Sequence, residues 1–140
     1  MKLTYLFNGR FPTEKAHGIQ IAKMCEAFAR LCAVELVVPY RKNTIKESPF
    51  DYYVVQQAFS VKQVPALDLM GIFPERLANA MQTITSLFSF WIHLPHADVY
   101  YARDYASMLL LSVLQKPFLA EFHDYRSQKP KKTIRYILRK

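Results

Sequence analysis

LTYLFNGRFPTEKAHGIQIAKMCEAFARLCAVELVVP, residues Leu3 to Pro39, changes its hydrophobic period twice, and those changes decide the fold. Leu3–Phe7 is almost continuously apolar, as a short strand buried on both faces would be. Asn8–Gly18 is polar and reads as a loop. From Ile19 the period lengthens: Ile21, Met24, Cys25, Phe28 and Leu31 recur at three- and four-residue spacing, while Gln20, Lys23, Glu26 and Arg30 take the opposite side. That pattern predicts an amphipathic helix with one face on a core. Val34–Val38, rich in valine and closed by Pro39, is a second apolar run. Strand, loop, helix and strand in this span make a βαβ unit, which predicts a parallel pair joined by a right-handed crossover.

The alternation continues outward. Arg41–Ser48 is polar and reads as a surface loop or short helix, and Ser60–Leu67 holds a weaker third strand. Pro74 suits the first turn of a long helix, in which Leu77, Met81, Ile84, Phe88 and Trp91 form one stripe that is expected to face the core. Pro95 ends it. Val99–Ala102 reads as a strand, Asp104 as the cap of a helix over Tyr105–Leu114, and Phe118–Phe122 as a strand leading into His123-Asp124. Ile134, Ile137 and Leu138 open a further amphipathic helix in a basic segment over about 129–140. The class is therefore α/β: a doubly wound, mainly parallel sheet in a single domain over 1–140.

Three glycines in 140 residues argue against a turn-dense β-barrel or sandwich. The net charge of +8 resides in the tail: Arg126–Lys140 contains seven basic groups and no acid, leaving twelve basic and eleven acidic groups before it. A near-neutral body makes nucleic acid an unlikely partner, while the tail offers contact with an anionic membrane surface. Cys25 and Cys32 on one helix would stand roughly 10 Å apart, too far to bridge, which fits a reducing cytoplasm. Met1–Lys2 leads straight into the first strand, so no leader is expected, and no apolar run approaches bilayer length.

In a doubly wound sheet the ligand crevice lies outside the carboxyl ends of the strands. This points to the Asn8–Gly18 loop, Arg103-Asp104 and Glu121–Asp124. A dinucleotide fingerprint is excluded because Phe11 and Glu14 stand where its later glycines belong, and no P-loop, GxSxG or CxxC occurs. His93 and His96 flank Pro95, a helix-ending turn, so no metal is expected. Gly18 either lets a phosphate approach a helix start or relieves a turn. Arg103 either meets a phosphate or carboxylate or pairs with Asp104 or Glu121. His123 either hydrogen-bonds a sugar hydroxyl or leaving group, or is a satisfied strand-end histidine.

The run Arg10–Ala29 with Val34–Pro39, followed in order by Asp98–Arg103 and Lys116–Asp124, resembles the amino-terminal domain of family 4 glycosyltransferases of the GT-B type. The resemblance spans essentially the whole chain. It implies one of two Rossmann-like domains facing across a cleft, with retaining transfer of a sugar from a nucleotide-sugar to an acceptor and no cofactor. It implies that His17 and Gly18 belong to the loop near the donor diphosphate and that His123 faces the reacting sugar; Arg103 and Glu121 stay, from their strand-end positions, candidate contacts to acceptor or phosphate. This sequence has Ala16-His17-Gly18 where many relatives carry paired glycines. The donor-binding carboxyl-terminal domain is not in these 140 residues, so the chain alone is expected to be inactive. The alternative is a non-catalytic α/β module that binds a ligand or partner and has a basic tail.

Overall fold

A computed structural model describes residues 1–122; His123 and the basic helix expected over 129–140 lie outside the described residues. β1 (Lys2–Leu6) is buried from Leu3 onward, because its neighbours cover both faces. The connection then leads into α1 (Ala16–Ala29), β2 (Ala33–Pro39), the single-turn α2 (Pro49–Tyr52) and β3 (Ser60–Val64). The second half contributes α3 (Glu75–His93), β4 (Val99–Ala102), α4 (Tyr105–Val113) and β5 (Phe118–Ala120). All four strand pairings are parallel, in the order β3-β2-β1-β4-β5. The expected doubly wound α/β sheet is present. Winding reverses between β1 and β4, and a cleft lies to one side of that switch point, over β1–β3.

Each face of the sheet has its own core. On one, Ile21, Ala22 and Cys25 of α1 pack on Leu3, Tyr5, Val34, Leu36, Val38 and Tyr101. On the other, Phe90 of α3 and Met108 and Leu111 of α4 pack on Leu6, Val37, Val64, Tyr100 and Ala102. The alternation of Val37 with Leu36 and Val38 between these clusters is the strand period of two. Asp104 caps α4 as expected: its carboxylate accepts from Ser107 N and Ser107 Oγ, both at 2.8 Å.

The structure corrects three expectations about helices. α1 begins at Ala16, three residues before Ile19, so His17 and Gly18 belong to its first turn. Leu31 falls beyond α1 and is 82% exposed. The largest correction concerns α3, whose stripe points away from the core. Leu77, Met81, Ile84, Phe88 and Trp91 are exposed, whereas Ala78, Gln82, Ser86, Ser89 and Phe90 are buried.

The reason is Arg41, at the end of β2. Its guanidinium donates to the Leu67 carbonyl (2.7 Å), to Ser86 Oγ (2.7 Å) and to the Gln82 carbonyl (3.3 Å). Gln82 Nε2 in turn donates to Asp68 Oδ1 at 2.8 Å. Arg41 is half-buried, and its polar partners Gln82 and Ser86 occupy the inner side of α3 where an apolar stripe would leave the guanidinium's donors unpaired. Small residues at 78, 86 and 89 also permit close approach to the sheet.

Candidate functional site

Above the carboxyl ends of β1, β2 and β3 lies a cleft of about 580 Å³. Its walls come from the β1–α1 connection (Asn8, Arg10), from the first turn of α1 (His17), from the segment after β2 (Arg41), and from Asp68 and Gln82. Parallel strands deliver all these segments to the same end of the sheet, so residues far apart in sequence converge there.

The β1–α1 connection is held from beneath. Ser48 Oγ accepts from Phe50 N at 3.2 Å and Pro49 opens α2, which sets the next residue, Tyr53, against the loop. The Tyr53 hydroxyl accepts from Thr13 N at 2.6 Å and donates to Thr13 O at 2.7 Å. Gly18 is buried under this junction. A Cβ there would overlap the Tyr53 hydroxyl and stand 2.7 Å from Thr13 Cγ2 and 2.9 Å from the Thr13 carbonyl oxygen. Gly18 N itself donates to Lys15 O at 2.9 Å. The glycine therefore has a packing reason that the sequence reading did not include.

His17 lies in the cleft wall with its ring 5.3 Å from that of Phe7. Partial burial, together with the charges of Lys15 and Arg103, lowers its pKa below the usual 6.5, against a smaller opposing effect of Glu14. The imidazole is neutral at pH 7 and can accept a hydrogen bond or a proton. Arg10 pairs with Glu14 across one turn of the rim. Desolvation lowers the Arg41 pKa and Asp68 opposes that shift, yet a guanidinium stays charged.

Beside the cleft, at the carboxyl ends of β1, β4 and β5, is a second polar group. Tyr101 donates its hydroxyl to Glu121 Oε2 at 2.8 Å, and its ring packs 4.8 Å from that of Tyr5. Burial raises the pKa of both phenols, and the charge of Glu121 adds to the shift. Arg103 acts electrostatically on Tyr5, Tyr101 and His17, which places it between the two polar groups. Its Nη1, the Tyr5 hydroxyl and Asn8 Oδ1 are buried and have no hydrogen-bond partner among the described residues. Asp104 serves α4 and accepts from Asn8 N at 3.3 Å, tying the ends of β1 and β4 together.

Of the residues singled out from the sequence, His17 lines the cleft and Gly18 packs beneath its loop, whereas Arg103 and Glu121 are not in its lining and stand after β4 and β5. His123 falls outside the described residues. Arg41, Asp68 and Gln82 were missed. The strand-end rule applied to β2 and β3 would have found the first two, but Arg41 fell in a stretch that reads as a surface loop or short helix and Asp68 just beyond the weak third strand. Among the described residues no group of three or more His, Cys, Asp or Glu side chains is arranged to hold a metal ion. Nor is any described helix long and apolar enough to cross a membrane.

The sequence matches no family profile and no curated protein. Solved structures share the fold. Apo UGT2 from Phytolacca americana is 13% identical with a TM-score of 0.59, over 86% of this chain and 29% of that one. The same enzyme complexed with UDP-2fluoro-glucose and pterostilbene gives 11% identity and a TM-score of 0.62, over 86% and 30%. A UDP-glucosyltransferase from Polygonum tinctorium capable of glucosylating indoxyl, in complex with 3,4-dichloroaniline, gives 13% and 0.56, over 88% and 29%. The chain thus spans under a third of the length of each of these glycosyltransferases and shares the fold of that portion.

Proposed function

We propose that the chain is the acceptor-side domain of a cytoplasmic GT-B glycosyltransferase of the family 4 type, working with a separate domain that binds the nucleotide-sugar. The observation that carries this reading is the polar cleft at the carboxyl ends of β1–β3, in a sheet whose fold recurs in UDP-glucosyltransferases. Asn8, Gln82 and the neutral His17 offer donors and acceptors to a hydroxylated acceptor. Lys15 and Lys42 on the same walls offset the negative charge of a donor diphosphate brought over the cleft. Gly18 supports the loop that faces this diphosphate. Arg103 and Glu121 contact acceptor or phosphate from the β4–β5 side, and His123, which lies outside the described residues, has the role in sugar transfer that the family resemblance implies. Transfer in this reading retains the anomeric configuration and uses no cofactor from this domain.

Amide chemical-shift mapping with UDP, UDP-glucose and a panel of phenolic and sugar acceptors tests the proposal. Saturable shifts of Asn8, His17 and Gln82 with an acceptor are expected. Shifts confined to the opposite, amino-terminal edge of the strands would overturn it.

A further inference from the structure

The exposed face of α3 has a regularity that solvent does not require. Leu77, Met81, Ile84, Phe88 and Trp91 follow one another at intervals of four, three, four and three, the a/d seam of a helix–helix contact rather than a broad core-facing stripe. All five are at least 36% exposed, with Ile84 at 66% and Phe88 and Trp91 at 57%. The positions flanking the seam are Ala78, Ala80, Thr85, Leu87 and Ile92, and no charged residue occurs from Leu77 to Ile92.

We propose that α3 is a self-association surface, on which a second copy of this chain packs its own α3 antiparallel about a twofold axis near Ile84. Such side chains expose on the order of 600 Å² per copy, so two copies would bury about 1,200 Å², the lower edge of the range for stable protein interfaces. A patch of this size is at the upper limit for a monomer's surface. The seam is self-complementary: a twofold axis through Ile84 sets Leu77 against Trp91 of the second copy, and Met81 against Phe88. Uncharged flanks add no like-charge repulsion between copies. An anionic bilayer, by contrast, would be met by basic residues along the polar margin of the helix; Arg76 and His93 stand only at its ends. None of the five seam residues lines the cleft, to which α3 contributes Asn79, Gln82 and Thr83.

Sedimentation of the 140-residue chain across micromolar concentrations is expected to show a monomer–dimer equilibrium. Ile84→Glu with Phe88→Glu should raise its dissociation constant at least a hundredfold, at unchanged circular dichroism. Ile84→Cys should form a disulfide with its own copy. Leu77→Cys and Trp91→Cys should cross-link only to each other, because these positions are roughly 21 Å apart along the helix. A monomer at all concentrations would overturn the proposal. So would a monomer that floats with vesicles of phosphatidylglycerol and loses that binding in the double variant, an outcome that would assign the face to lipid.

Discussion

The Tyr53 hydroxyl clasps Thr13 from both sides, accepting from its amide at 2.6 Å and donating to its carbonyl at 2.7 Å, across forty residues of sequence. One side chain thereby fixes the loop at the cleft and fills the space above Gly18. Tyr53→Phe should destabilise the fold by about 2 kcal/mol, because both backbone groups of Thr13 lose a buried partner. Gly18→Ala should cost about 1–3 kcal/mol through overpacking. In the double variant the two costs should be less than additive, since the hydroxyl that the new methyl strikes has gone. Urea melts of the four proteins measure this; strict additivity would mean that Gly18 is required for another reason.

Phe88 and Phe90 are two residues apart on α3 but face opposite ways. Phe90→Ala should cost about 3–5 kcal/mol, as a fully buried ring leaves a cavity between Leu6, Tyr100 and Met108. Phe88→Ala, measured in dilute monomer, should stay within about 0.5 kcal/mol. The reverse ranking in chemical denaturation would restore the helix face expected from the sequence.

Arg41 determines how α3 sits. Arg41→Ala should cost about 2 kcal/mol, the scale of losing charge-assisted hydrogen bonds in a shielded site. Arg41→Lys should recover little of this, because an ammonium cannot span Leu67, Gln82 and Ser86 as the guanidinium fork does. Faster hydrogen exchange across the first half of α3 in both variants is the expected signature.

His17 should give the fold a pH dependence near neutrality. Its folded pKa lies below the unfolded value, so the unfolded chain binds more protons in this window. The contribution is therefore fully present above about pH 6.5 and is lost as the pH falls through the folded pKa. Melting temperatures of wild type and His17→Gln between pH 7.5 and 5 should diverge in slope, the variant being flatter. A nuclear magnetic resonance titration placing the imidazole above pH 6.5 would contradict the assigned electrostatics.

His123→Ala tests the transfer reading once the chain is joined to a nucleotide-sugar-binding domain. A hydrogen bond made mainly in the transition state acts on rate, so kcat should fall roughly a hundredfold at unchanged melting temperature. Full activity at unchanged stability would remove His123 from the site.

The local order of the fold was legible in the chain itself. Leu3–Phe7, the apolar spacing from Ile21 to Phe28, and Val34–Val38 specify strand, helix and strand, because burial on a sheet and on a helix imposes different periods. Asp104 announced a helix start. Periodicity also found the stripe on α3, but it marks only that a face is apolar, without saying what covers it. Three-dimensional packing decided that question: the half-buried Arg41 bonds to Gln82 and Ser86 on the inner side of α3, and Leu77, Ile84 and Trp91 face outward. The same holds for Gly18, whose missing side chain is explained by the hydroxyl of Tyr53, thirty-five residues away. A partner so distant in sequence leaves no periodic trace, so only the tertiary structure could disclose it.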